Sequence, residues 1–217
     1  MKKLIISFCG GSGAWEKPYT DRPTEYEVLN VTLPAHDVRT FDIRPYLSPR
    51  RAALHGILAA PPCNEYSFVK SEKLPRDLYG ADEVLGACLR AISLADLVCP
   101  TLKWWALENP IGHIISRIGP PAFIFQPWEF GDPWTKRTGI WGNFTLPTKT
   151  FSNWADVPQN ASLYIRPGRK KPNMVWLHKS AQKDIPAFST FAPAANDAAF
   201  RAMTPQGFAK AFYEVNR

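Results

Sequence analysis

The sequence predicts a doubly wound α/β fold, in which a mainly parallel sheet carries helices on both faces. Short apolar runs end in turns rich in glycine or proline, and they alternate with segments of helical periodicity, which is the pattern of strand-helix-strand crossover units. Hydrophobic residues make up 45% of the 217 residues, enough for a sizeable core. We therefore expect one domain and exclude disorder as the general state of the chain.

Six apolar runs have the length and composition of strands, and the run at 55–60 is continuous, as in a strand buried on both faces of a sheet. The strands are predicted over 4–8, 27–33, 55–60, 104–107, 122–125 and 138–144, the last two as a pair. Apolar residues recur at close to 3.6-residue spacing over 80–99, which predicts a helix. A short helix is predicted from Pro110 to Ile118, and a last one over 205–215 with Thr204 as its N-cap.

Positive charge is concentrated in one part of the chain. The net charge is +7, and residues 145–184 contain seven Lys or Arg against two Asp, which accounts for +5 of it. A polyanionic partner is favoured. We divide the chain into a catalytic sheet domain at 1–144, a small basic segment at 145–200 and a returning C-terminal helix at 201–217.

Cysteine and histidine usage gives no sign of a disulfide framework or a metal site. The four cysteines and four histidines are scattered, and no CxxC pair occurs. The apolar run after Lys2 and Lys3 has about five residues, shorter than the roughly 7–15 of a secretory signal. No stretch approaches the roughly 20 apolar residues of a membrane span. A cytoplasmic protein without membrane contact is expected.

Three motifs follow three predicted strands: FCGGSG at 8–13, PPC at 61–63 and ENP at 108–110. Glycines let backbone amides approach a ligand at the edge of a sheet, two prolines hold a thiol in place, and a carboxyl after a parallel strand points into the same cleft. Taken singly, each motif has a plainer interpretation. These are a tight turn, an inert core cysteine and a surface or helix-capping acid.

Together, the order and distances of these motifs resemble those of the C5-cytosine DNA methyltransferases, which use S-adenosylmethionine. The similarity covers residues 4 to about 144 and resumes at Met203-Thr-Pro-Gln-Gly-Phe-Ala. It implies a Rossmann-like methyltransferase sheet with a small basic recognition insertion before the C-terminal helix. It also implies that Cys63 adds to carbon 6 of a cytosine while Glu108 binds the Watson–Crick edge. The target is flipped out of DNA or is already single-stranded.

The resemblance also assigns binding residues. Those expected at S-adenosylmethionine are Phe8, Gly10, Gly11, Gly13, Asp37, Val38, Pro61 and Thr204. Those expected at the DNA substrate are Asn109, Lys136, Arg137, Arg166, Arg169 and Lys170.

The sequence departs from the family pattern in three places. Thr32 and Leu33 stand where an acid that holds the ribose and a following aromatic residue usually occur, the QxRxR motif is only echoed at 131–139, and about 50–55 residues are left for target recognition. This brevity suits a solitary, phage-type modification enzyme, acting in the cytoplasm of a bacterium or bacterial host. The alternatives are the same chemistry on RNA or a free pyrimidine nucleotide, and a non-catalytic DNA-binding subunit. Monomer and dimer both stay open.

Overall fold

The strands of this computed structural model, which describes residues 1–48, 53–68, 70 and 74–217, form one six-stranded sheet. They are β1 (Lys3–Phe8), β2 (Tyr26–Val31), β3 (Ala53–Ala59), β4 (Trp104–Pro110), β5 (Phe123–Phe125) and β6 (Thr138–Asn143). Their order across the sheet is β2-β1-β3-β4-β6-β5. The first four are parallel, and β6 runs antiparallel to both of its neighbours. The carboxyl ends of β1, β3 and β4 therefore meet at one edge.

Helices cover both faces of the sheet, which confirms the doubly wound α/β prediction. They are α1 (Lys17–Thr20), α2 (Leu78–Val98), α3 (Ile115–Ile118), α4 (Pro186–Ser189), α5 (Asp197–Ala202) and α6 (Gln206–Val215). On one face, α2 buries Leu85 and Ile92 against the sheet. On the other, Phe208 and Phe212 of α6 pack with Tyr19 of α1. The Asp77 side chain caps α2 by accepting the Gly80 N–H at 2.9 Å.

Two predicted boundaries are wrong, and both errors have a physical cause. Strand β4 continues through Pro110, which lies opposite Thr138 of the antiparallel strand β6; the predicted helix from Pro110 is therefore reduced to α3. Thr204 does not cap α6, which begins two residues later. Instead, the Asp132 side chain accepts the Gly207 N–H at 2.9 Å, so a distant residue supplies the acceptor that the helix N-terminus needs.

The basic segment at 145–200 folds onto the sheet domain rather than away from it. It consists mainly of 3-10 turns and the short helices α4 and α5. Its apolar residues, including Phe188 and Phe200, share a core cluster with Ala14 and Trp134 of the sheet domain. Among the helices of the described ranges, we find none with the length and apolarity needed to cross a membrane.

Candidate active site

A cavity of about 310 Å³ lies where the loops after β1 and β3 meet the end of β4. Seven of the residues predicted from the sequence line it: Gly10, Gly11, Pro61, Cys63, Glu108, Lys136 and Thr204. The three strand-end motifs are more than 40 residues apart in the chain, yet they converge here because the parallel strands end at the same edge.

A glycine-rich turn forms the cavity wall after β1. Gly11 and Gly13 have φ angles of 54° and 76°, and Cys9 has 57°, in the left-handed region that favours glycine. A Cβ at Gly10 would lie 2.4 Å from Glu16 Oε1, so a larger residue there would have to displace the Glu16 side chain or the turn. A hydrogen bond with the buried Cys88 thiol lowers the pKa of Cys9. The turn is thus tightly constrained on its inner side and open toward the cavity.

The loop after β3 holds Cys63 at the cavity. Asn109 Nδ2 donates a hydrogen bond of 2.9 Å to the Pro61 carbonyl, which ties the loop to the end of β4. Beyond the cysteine, the Cys63 carbonyl accepts the N–H of Tyr66 at 3.1 Å. Burial raises the pKa of the Cys63 thiol, the charge of Lys136 opposes that rise, and the charge of Glu108 adds to it. Forming the thiolate therefore depends on the charges around it.

Glu108 and Lys136 form a buried ion pair in the same cavity. Lys136 Nζ lies 3.5 Å from Glu108 Oε1, and their side chains are only 8% and 6% exposed. The backbone N–H of Lys136 donates to Gln126 Oε1 at 2.9 Å, which fixes this residue just before β6. The pair places one anion and one cation beside Cys63, so charge developing on the nucleophile or its substrate meets a partner of opposite sign.

Apolar residues that sequence reasoning missed close the other side of the cavity. Trp15 lines it, together with apolar residues from the end of the basic segment and the stretch just before α6: Ala192, Pro193, Ala194, Ala195, Ala199, Ala202 and Met203. The alanine-rich composition of this part of the chain was visible in the sequence, but its contact with the glycine turn depends on the docking of the whole segment.

Four residues expected at the cofactor do not line this cavity. Phe8 is fully buried in the core, and its ring packs edge-on against the ring of Phe41, with 5.8 Å between the ring centres. The Asp37 carboxyl forms an ion pair with Arg39, with 2.6 Å between Asp37 Oδ2 and Arg39 Nη2, and this interaction lowers the pKa of the carboxyl. Val38 packs into the core cluster around α2, and Gly13 borders a second cavity.

Most of the residues expected at the substrate lie outside the cavity as well. Arg137 is exposed, whereas the preceding Lys136 is buried. Arg166, Arg169 and Lys170 are exposed on the basic segment, where the Arg166 guanidinium lies 4.2 Å from the centre of the Trp176 ring. Asn109 is buried, and its side chain is hydrogen-bonded to the Pro61 backbone, so it positions the loop that carries Cys63.

Comparison with known proteins identifies no family. No protein-family model matches the sequence, and no curated protein matches it. Among solved structures, the chain is similar to EhMeth, a methyltransferase from Entamoeba histolytica, with 14% identity and a TM-score of 0.39. The similarity covers 84% of this chain and 60% of that one. At these values, function has to be argued from the cavity and its residues.

Proposed function

We propose that this protein is an S-adenosylmethionine-dependent methyltransferase that methylates carbon 5 of cytosine in DNA. The observation that carries the proposal is the cavity in which the Cys63 thiol, the Glu108 carboxylate and the Lys136 ammonium lie together beside a glycine turn. A nucleophile, an acid and a cation in a half-enclosed cavity are the groups that this reaction needs.

Cys63 supplies the nucleophile. Carbon 5 of cytosine attacks electrophiles poorly until the thiolate sulfur adds to carbon 6 and shifts electron density to carbon 5. S-adenosylmethionine, when bound, supplies a methyl group on a positively charged sulfur. After transfer, a base removes the proton from carbon 5, the bond between sulfur and carbon 6 breaks, and Cys63 is regenerated as thiolate.

Glu108 and Lys136 support this addition. Glu108 would accept a hydrogen bond from the exocyclic amine and, when protonated, donate one to ring nitrogen 3, which selects cytosine and stabilises the negative charge that develops on the ring when sulfur adds. Lys136 keeps the Glu108 charge compensated inside the cavity. It also favours the thiolate form of Cys63, against the effect of burial on the pKa of that thiol.

The cavity fits S-adenosylmethionine in the chemistry of its lining. Gly10, Gly11, Pro61 and Thr204 would hold the cofactor between bare backbone and apolar surface. Trp15, which also lines the cavity, has a buried Nε1–H without an acceptor in the part of the chain that the structure describes. An unpaired buried donor is costly, so a ligand acceptor at this point would be stabilising.

The exposed basic segment supplies the proposed DNA contacts. Arg166, Arg169 and Lys170 would bind phosphates, and the exposed rings of Tyr164 and Trp176 would stack on bases. Since these groups lie outside the cavity, they would contribute to affinity and register and leave the chemistry to the cavity residues.

The test is transfer of a labelled methyl group from S-adenosylmethionine to duplex DNA, RNA or deoxycytidylate by wild type and Cys63→Ala. Cys99→Ala is the matched control, because Cys99 is buried in the core away from the cavity. We expect transfer to DNA that is lost only in Cys63→Ala. Transfer to RNA or to the nucleotide alone would overturn the DNA assignment, and an absence of Cys63-dependent transfer to all three would overturn the enzyme in favour of a DNA-binding subunit.

A further inference from the structure

A second cavity, of about 270 Å³, lies on the other side of the glycine turn. Ser12 lines both cavities, so the two are neighbours across the turn. Glu16 at the start of α1 and Asn30 in β2 also line the second one. Neither residue belongs to the motifs identified from the sequence.

Glu16 is a buried carboxyl with one oxygen unpaired. Its side chain is almost inaccessible, at 1% exposure, and Oε1 accepts a hydrogen bond of 2.7 Å from Asn30 Nδ2. Within the described ranges of the chain, Glu16 Oε2 and Asn30 Oδ1 both lack a hydrogen-bond donor. Two unpaired buried acceptors on one pair of residues are costly, and a bound ligand that donates to both would remove that cost.

The acceptors select the chemistry of the ligand. When Glu16 is ionised, both groups only accept hydrogen bonds and one of them is negatively charged, so the matching group carries several N–H donors and a positive charge, as a primary ammonium does. Divalent metal ions such as Ca²⁺ require about six or more oxygen ligands, far more than this pair provides. Lys17, the other charged residue lining the cavity, does not fill the role because its ammonium pairs with Asp21 at 2.8 Å.

We infer that Glu16 and Asn30 bind the α-ammonium group at the amino-acid end of S-adenosylmethionine. The inference rests on the proposed function and adds two binding residues to it. Ser12 lines both cavities, so a ligand in the first cavity that extended past Ser12 would enter the second. At Gly10, an added Cβ would lie 2.4 Å from Glu16 Oε1 and 2.9 Å from Asn30 Oδ1, so the bare backbone brings the turn directly against the acceptor pair.

Proton uptake and release give this contact a signature of its own. Burial raises the pKa of Glu16 to about 7, so the free protein carries this carboxyl partly protonated at neutral pH. An ammonium group favours the ionised form, and its binding therefore releases protons. The groups that face Glu16 from β1 and β2, Ser7 and Asn30, are uncharged, and Lys17 on α1 is held by Asp21.

The test compares two ligands in wild type and Glu16→Gln by isothermal titration calorimetry at pH 7, in buffers of different ionisation enthalpy. S-adenosylhomocysteine has the amino-acid end, and 5′-methylthioadenosine lacks it. We expect Glu16→Gln to lose about 10- to 100-fold in affinity for S-adenosylhomocysteine, to keep its affinity for 5′-methylthioadenosine, and to release no protons. Glu27→Gln, an exposed change on the same strand as Asn30, should match wild type in all three respects.

Three outcomes would overturn the inference. An unchanged affinity of Glu16→Gln for S-adenosylhomocysteine would show that the carboxyl does not bind the ligand. Equal losses for both ligands would make Glu16 a support of the turn instead of an ammonium site. If the wild type bound neither ligand, the proposed function itself would be overturned. This outcome is distinguishable from the other two, because in both of those the wild type binds the ligands.

Discussion

Replacing Asp132 with asparagine should stabilise this protein above neutral pH, although the residue is buried and hydrogen-bonded. The Asp132 carboxyl is only 5% exposed and accepts the Gly207 N–H at the start of α6. Burial raises its pKa from the ordinary 3.8 to about 7. Asparagine retains an oxygen for the same N–H and carries no charge to desolvate.

The size and sign of the effect follow from the change in pKa. Between pH 4 and 7 the unfolded chain has lost this proton while the folded protein still holds it, so the stability that the group contributes is complete below about pH 4 and is lost as the pH rises through 7. The full difference in pKa corresponds to about 4 kcal/mol, of which about 3 kcal/mol falls between pH 5 and pH 8.

The assay is urea denaturation of wild type and Asp132→Asn at pH 5 and pH 8. The quantity compared is the free energy of unfolding of the variant minus that of the wild type. We expect this difference to be about 2–3 kcal/mol larger at pH 8 than at pH 5. Asp96→Asn, at an exposed position on α2, should show no such change. A difference between variant and wild type that is independent of pH would refute the reasoning.

Four further substitutions test the cavity. Glu108→Gln should lower kcat about 10²- to 10⁴-fold in the methyl-transfer assay, because the acid that stabilises the adduct is lost. Lys136→Met should cost about 3–5 kcal/mol in the free energy of unfolding, because it leaves a buried carboxylate unpaired. Asn109→Ala should cost about 1–3 kcal/mol in the same measurement and make the nucleophile more accessible to iodoacetamide, since the Pro61 carbonyl loses its donor. Gly10→Ala should weaken binding of S-adenosylhomocysteine, measured by calorimetry, because the added methyl would lie 2.4 Å from Glu16 Oε1 and would have to displace that side chain or the turn.

Each of these expectations has an opposite outcome. Full activity in Glu108→Gln would remove the acid from the mechanism, and an unchanged stability of Lys136→Met would mean that the ion pair contributes no net energy. An unaltered rate of alkylation in Asn109→Ala would show that the loop is held by other contacts. Wild-type binding by Gly10→Ala would show that the turn adjusts at no cost.

The part of the site that lies at strand ends was predictable from the sequence. Cys63 lies four residues after the end of β3, and Glu108 lies near the end of β4. Both strands are parallel, and parallel strands fix which edge their carboxyl ends share. The order of the motifs therefore determined their convergence before any contact was known. Which of Lys136 and Arg137 turns inward required the structure, because it depends on the pairing of β6 with β4.

Contacts between distant segments were not predictable. Asp132 caps a helix that begins 74 residues later, and the alanines after residue 191 reach the cavity only because Phe188 and Phe200 dock against Trp134. Such contacts depend on how whole segments pack, and no local spacing records them. The place of Asp37 after β2 predicted a contact with the cofactor, but the sequence did not show that its side chain forms an ion pair with Arg39.

The central claim is a covalent bond between Cys63 and carbon 6 of cytosine. The most direct measurement is incubation with DNA containing 5-fluorocytosine and S-adenosylmethionine, followed by mass spectrometry of the protein. Fluorine at carbon 5 cannot leave as a proton does, so the adduct should accumulate. We predict one methylated adduct, on the peptide that contains Cys63, and none in Cys63→Ala. An enzyme that methylates DNA but forms no adduct, or one attached elsewhere, would contradict the account.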